Sequence, residues 1–129
     1  MRKKNILREK SFTFSVRIIK LYKYLKSKHD EYILSRQIIR SGTSIGALIR
    51  ESENAESKRD FIHKLNISLK ETDETQYWLE LVYETEFITK KMFDSINTDV
   101  EELIKLLVAS VKTSKENLHS SPKILHSPL

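Results

Sequence analysis

The chain contains no cysteine in 129 residues. Disulfides, thiolate nucleophiles and cysteine-ligated zinc are excluded with it, and a cytoplasmic location is the matching expectation. Proline is nearly as scarce. Pro122 and Pro128 are the only two, both close to the end, so nothing breaks a helix over most of the chain. Glycine also occurs only twice, as Gly42 and Gly46 inside a helical pattern, which leaves no Gly-rich loop to cradle a phosphate. Long apolar runs are missing too. The charge-free stretch over residues 41–49 falls far short of the roughly 20 apolar residues of a membrane span. Met1-Arg2-Lys3-Lys4 resembles the start of a signal peptide, but Arg8, Lys10, Arg17, Lys20 and Lys23 interrupt what would be its apolar core. The expectation is a soluble chain with no membrane association.

What the chain does have is charge, at 32% of residues against 39% apolar. That balance suits helices with narrow apolar stripes and wide solvated faces. The net charge of +5 is unevenly spread: residues 1–28 hold ten Lys/Arg against one Glu, and the remainder is slightly acidic. A concentrated basic segment is an electrostatic footprint for nucleic acid or an acidic partner. A solubilising basic arm is the plainer reading of the same residues.

Four helical periodicities follow one another. The first spans about Phe12 to Lys28, with Ser11 as N-cap and Phe14, Ile18, Leu21 and Leu25 on one face, widened by Ile19 and Tyr22. The second spans Glu31 to Ala55, with Asp30 as N-cap and a seam of Leu34, Ile38, Ser41, Ile45, Leu48, Ser52 and Ala55. Gly42 and Gly46 stand one above the other beside that seam. Each costs roughly 1 kcal/mol in a helix interior, so close helix packing at both is the expected compensation. The third helix opens on Ser57-Lys58-Arg59-Asp60, a capping box, and carries Phe61, Leu65, Leu69, Thr72, Gln76, Leu79, Tyr83 and Phe87. A second line, Ile67, Glu74, Trp78, Leu81 and Ile88, marks either a subunit interface or one wide buried face. The fourth helix starts between Asp94 and Thr98, where Thr98-Asp99-Val100-Glu101 can form a capping box, with stripe residues Val100, Leu103, Leu107, Ser110, Val111 and Ser114. Links then fall near residues 28–31, 56–58 and 90–97. The reading is all-α: an antiparallel up-down four-helix bundle over residues 1–117 and a flexible tail over 118–129, where two Ser-Pro pairs end the periodicity.

The residues from Ser35 to Ala47, followed by Glu51, resemble the second-helix signature of bacterial four-helix bundle proteins encoded in 23S ribosomal RNA intervening sequences, also called S23-type. Phe61 to Leu79 resembles the third-helix signature and Val16 to Lys23 the first, so the likeness covers about residues 12–115. It implies a left-handed up-down bundle that assembles into a homopentamer. A related branch, the accessory variability proteins of diversity-generating retroelements, forms a basic pentamer that works with a reverse transcriptase and nucleic acid. Leu48 and Ser52 depart from the signature, which usually has Asn and Ala at those seats.

No catalytic constellation emerges, and the chain is read as a non-enzyme without a cofactor. Arg40, Glu51, Lys70, Glu71 and Glu74 form a polar set across the second and third helices. It reads as an ion-pair network fixing register or interface rather than as an acid/base or metal site. A di-iron bundle needs two Glu-x-x-His pairs and two further inward Glu. Glu116-x-x-His119 and Asp60-x-x-His63 are all the chain offers, with His29 and His126 placed in a turn and in the tail, so no metal is expected. Tyr22, Tyr24, Tyr77, Trp78 and Tyr83 are base-stacking candidates, although at helical spacing they read more simply as core or interface. The expected partners are a second copy of the chain and RNA or DNA, the latter met by Arg17, Lys20, Lys23, Lys26 and Lys28 on the first helix. The alternative is a structural or protein-interaction module that binds no nucleic acid.

Overall fold

A computed structural model describes the backbone of residues 5–126 and the side chains of residues 5–118. Four helices run α1 (Ile6–His29), α2 (Leu34–Ser52), α3 (Lys58–Glu84) and α4 (Lys90–His126), and the described residues contain no strand. Consecutive helices pack side by side, and α4 closes the ring against α1 along the loosest of the four seams. Phe14, Ile18 and Leu25 of α1, Ile38 and Ile45 of α2, Leu65, Leu79 and Val82 of α3, and Val100, Leu103 and Leu107 of α4 are fully buried at its centre. Among the described residues no helix is long and apolar enough to cross a membrane.

The helix ends differ from the sequence expectation in instructive ways. The cap of α1 is Asn5, whose Oδ1 accepts from the Arg8 amide at 3.0 Å. Ser11 instead lies inside the helix, buried against α2, with its hydroxyl donating to the Arg8 carbonyl at 3.3 Å. Asp30 does not cap α2. It ends α1 in the left-handed region at φ 53°, and the Glu31 amide reaches back to the Leu25 carbonyl at 3.0 Å. Glu31 does the capping. Its Oε2 accepts from the amides of Ile33 and Leu34 at 3.1 and 2.9 Å, and its Oε1 from Ser35 at 2.7 Å. One carboxylate thus satisfies three amides next to the first turn of α2, where the helix dipole favours negative charge. Glu31→Ala is expected to lower stability by about 1–2 kcal/mol, with Glu31→Gln between it and the unmodified chain, in urea melts followed by circular dichroism.

Ser57 caps α3 as expected, accepting from the Asp60 amide at 3.0 Å, while the Asp60 carboxylate accepts from the Glu56 amide at 3.2 Å. That helix stops at Glu84. Glu86 turns left-handed at φ 69° and the Phe87 amide bonds to the Val82 carbonyl at 2.9 Å. Phe87 and Ile88 therefore fill the corner as packed loop residues. Thr89 starts α4, its hydroxyl accepting from the Met92 amide at 3.1 Å. Thr98 sits mid-helix with its hydroxyl on the Asp94 carbonyl at 2.8 Å, so the expected link over 90–97 is helix. The backbone also continues helical past residue 117, through Pro122 to His126. Leu118 is the last described side chain packed on the core, and residues 127–129 lie outside the described residues.

The buried face of α3 is rotated from the expected one. Ile62, Leu65, Ser68, Thr72, Thr75, Leu79 and Val82 point inward, whereas Phe61, Leu69, Gln76 and Tyr83 are half-buried flanks. Small polar residues line the α2–α3 seam, and each hydroxyl finds a partner. Thr75 donates to Ser41 at 2.9 Å and Ser68 donates to the Ile45 carbonyl at 3.0 Å. Along α2 the inward set is Ser35, Ile38, Ser41, Gly42, Ile45, Ile49 and Ser52, with Leu34 and Leu48 at the edge. At Gly42 a Cβ would stand 2.8–3.0 Å from three side-chain carbons of Ile18, so α1 rests directly on the glycine. At Gly46 the nearest atoms, belonging to Ser11 and Ser15, would be 3.4 Å away.

Candidate nucleic-acid interface

The cations of α1 divide into engaged and free. Arg8 is salt-bridged to Glu53, and Lys10 to Glu102 at 3.2 Å. Arg17 donates to Asp99 Oδ2 at 2.6 Å, and also to the Ser95 hydroxyl and carbonyl at 2.8 and 3.3 Å. It clamps α1 to α4 and offers phosphates only part of its fork. Lys26 bonds to the Tyr22 hydroxyl at 3.1 Å and lies over the rings of Tyr22 and Tyr32. Lys20, Lys23 and Lys28 are exposed and have no ion-pair or hydrogen-bond partner among the described residues.

Helical geometry separates these five further. Arg17, Lys20 and Lys28 share the flank facing α4, because three and eleven residues return close to whole turns. Lys26, nine residues from Arg17, falls on the opposite flank, and Lys23 points between. One continuous patch is not formed. The α4 flank gains a cation that sequence reasoning misses: exposed Lys91 lines the same groove as Arg17 and Lys20. Its signal is present in Lys90-Lys91, but the apolar stripe alone makes residues 90–97 look like a link.

The polar set on α2 and α3 also divides. Arg40 is salt-bridged to Glu74, lies 3.6 Å from Glu71 Oε1 and donates to Gln37 at 3.3 and 3.4 Å. Glu71 Oε1 is shut off from solvent without a hydrogen bond, so Arg40 is its counter-charge. Trp78 Nε1 donates to Glu74 Oε2 at 3.0 Å. Lys70, exposed one turn before Glu74, makes no pair with a carboxylate already engaged twice. Glu51 stands eleven residues from Arg40, about 16 Å along the helix, and pairs with Lys64 at 3.0 Å instead. That hydrogen bond raises the Lys64 pKa above its ordinary value. The pairings Arg40–Glu74, Ser41–Thr75, Ile45–Ser68 and Glu51–Lys64 all obey one antiparallel register. These pairs join α2 and α3 in that single register.

Most aromatics are engaged in packing. Tyr83 stacks on Phe93 with centroids 4.9 Å apart, and His29 sits between Tyr24 and Phe87 in edge-to-face contacts. Tyr77 is exposed at the edge of Trp78. His63 is solvent-exposed, and the side chains of His119 and His126 lie outside the described residues. Among the described residues no three His, Asp or Glu side chains converge as a metal site.

A helical bundle with a basic first helix and a register-locked α2–α3 pair is the class of protein these features define. The family model of the 23S rRNA-intervening sequence protein matches residues 3–109, so the chain belongs to that family. A crystal structure of a protein of unknown function from the S23 ribosomal protein family of Bacteroides thetaiotaomicron is similar, with 55% identity and a TM-score of 0.81. The match covers 82% of this chain and 98% of that one. No functionally curated protein matches the chain.

Proposed function

We propose that this chain is a non-enzymatic, homo-oligomeric bundle that binds the phosphate backbone of RNA or DNA through the solvated cations of α1. The observation that carries it is the set Lys20, Lys23 and Lys28, exposed and without acidic partners among the described residues, while Arg8, Lys10 and Arg17 are spent on holding α1 to its neighbours. Backbone contacts of this kind give little sequence preference and steep salt dependence. Assembly multiplies the weak binding of one basic segment. Phe12, Val16 and Ile19 form an exposed apolar ridge on α1, a more exposed surface for self-association than the half-buried Trp78 line of α3. The pentamer that the family resemblance implies is the assembly we adopt, together with a cytoplasmic location.

Light scattering on the full chain should give five times the 15.2 kDa protomer. A labelled RNA should shift in a gel at low salt and be released at high salt. A monomeric mass at micromolar concentration overturns the assembly, and no shift at low salt overturns the binding. The same apolar ridge favours a second reading, a protein-interaction module, which a stable oligomer with no nucleic-acid affinity would support.

A further inference from the structure

The loose seam between α1 and α4 opens into a groove of about 490 Å³, within the usual range of small-ligand pockets. Its floor is apolar, made by Leu21, Ile88, Met92 and Ile96, with Tyr24 beside them. Cations stand on both banks, Arg17 and Lys20 from α1 and Lys91 from α4, and no carboxylate lines it. Arg17 is held by Asp99 and Ser95, whereas Lys20 and Lys91 have no partner among the described residues. We infer that this groove seats one nucleotide of a single-stranded nucleic acid, with its phosphates on Lys20 and Lys91 and its base on the apolar floor against Tyr24.

The inference rests on the nucleic-acid reading above and adds to it a strand preference and a place. A simple phosphate site has no use for an apolar floor. A duplex keeps its bases stacked inside, so it meets only the cations. An unpaired base is free to leave the stack and lie on an aromatic or apolar surface. Charge complementarity on both banks and apolar area between them match the two halves of a nucleotide.

The test compares a labelled mixed-sequence single strand with a duplex of equal length, by fluorescence anisotropy at low salt, using the full chain. RNA and DNA versions of both are included. The single strand is expected to bind more tightly. Tyr24→Leu, which leaves the charge unchanged, should weaken single-strand binding about tenfold and leave duplex binding unchanged. Lys91→Ala, at an exposed position, should weaken single-strand binding and flatten its log-affinity against log-salt slope by about 0.7 for each phosphate no longer neutralised. With 4-thiouridine in the single-stranded RNA, photo-adducts should map to Tyr24 and residues 88–96. Equal losses for both strand forms in Tyr24→Leu, or adducts confined to the Phe12–Ile19 face, overturn the groove while leaving backbone binding intact. Failure of both forms to bind at low salt overturns the nucleic-acid reading, and the groove with it.

Discussion

Gly42→Leu should cost several kcal/mol and leave the chain largely unfolded or unassembled. Even Gly42→Ala is expected to lose about 1–3 kcal/mol net, although alanine is the better helix former by roughly 1 kcal/mol. The reason is Ile18. Its Cγ1, Cγ2 and Cδ1 would lie 2.8, 2.9 and 3.0 Å from the new Cβ, and it is fully buried in the centre of the core with no room to retreat. Gly46 is the internal control. Its Cβ would meet Ser11 and Ser15 at 3.4 Å, so Gly46→Ala should be neutral or gain up to about 1 kcal/mol. Urea melts of the three variants check the order. Ile18→Ala removes all three clashing atoms, so the double variant Gly42→Ala with Ile18→Ala should be less damaged than the sum of its singles. Additive losses would show that the glycine does not touch Ile18.

The same two glycines explain what could be read from the sequence and what could not. Four apolar periodicities without an interrupting proline define a helical bundle, and each periodicity falls on one of the four helices, though not within the same bounds. Helix ends are less legible because the usual end signal, glycine in the left-handed region, is absent. Both glycines lie in the middle of α2, where Gly42 serves packing against Ile18, and Asp30 and Glu86 take the left-handed positions instead. Ser11 and Thr98 look like caps but are used inside helices, their hydroxyls turned back on the preceding turn. The rotation of the α3 face has a similar cause. Ser68 and Thr75 look like surface residues by type, yet they are buried because hydroxyl bonds across to α2 satisfy them and their small size lets the helices approach. A pattern built on large apolar residues shifts toward the flanks when the true interface is small and polar. At the candidate site, the cations of α1 are legible in the sequence but their division is not. Which cations are engaged depends on Glu53, Asp99 and Glu102, distant in sequence, and Lys91 joins the exposed ones only because α4 begins earlier than its apolar stripe.

Reversing the charge of Lys20, Lys23 and Lys28 together to Glu should lower nucleic-acid affinity by on the order of 100-fold or more at low salt and leave helicity unchanged. All three side chains are exposed and hold no partner among the described residues, so the fold does not depend on them. Each reversal removes one cation and adds a repelling anion, and in an oligomer the change repeats in every copy. Lys26→Glu is the matched control. It alters the net charge in the same direction, but that lysine is occupied by Tyr22 and Tyr32 on the far flank of α1. Its effect on affinity should be several-fold smaller per charge changed than that of the triple variant. Arg17→Glu would not serve, because it places a carboxylate against Asp99 and loosens α4 from α1 as well as removing a cation. Titrations at several salt concentrations give the readout, since fewer neutralised phosphates lower the salt slope along with the affinity. If the triple variant and Lys26→Glu weaken binding equally per charge, net charge alone governs association and the α1 flank has no special role. If the triple variant binds as the unmodified chain does, the phosphates are met by residues other than these three lysines.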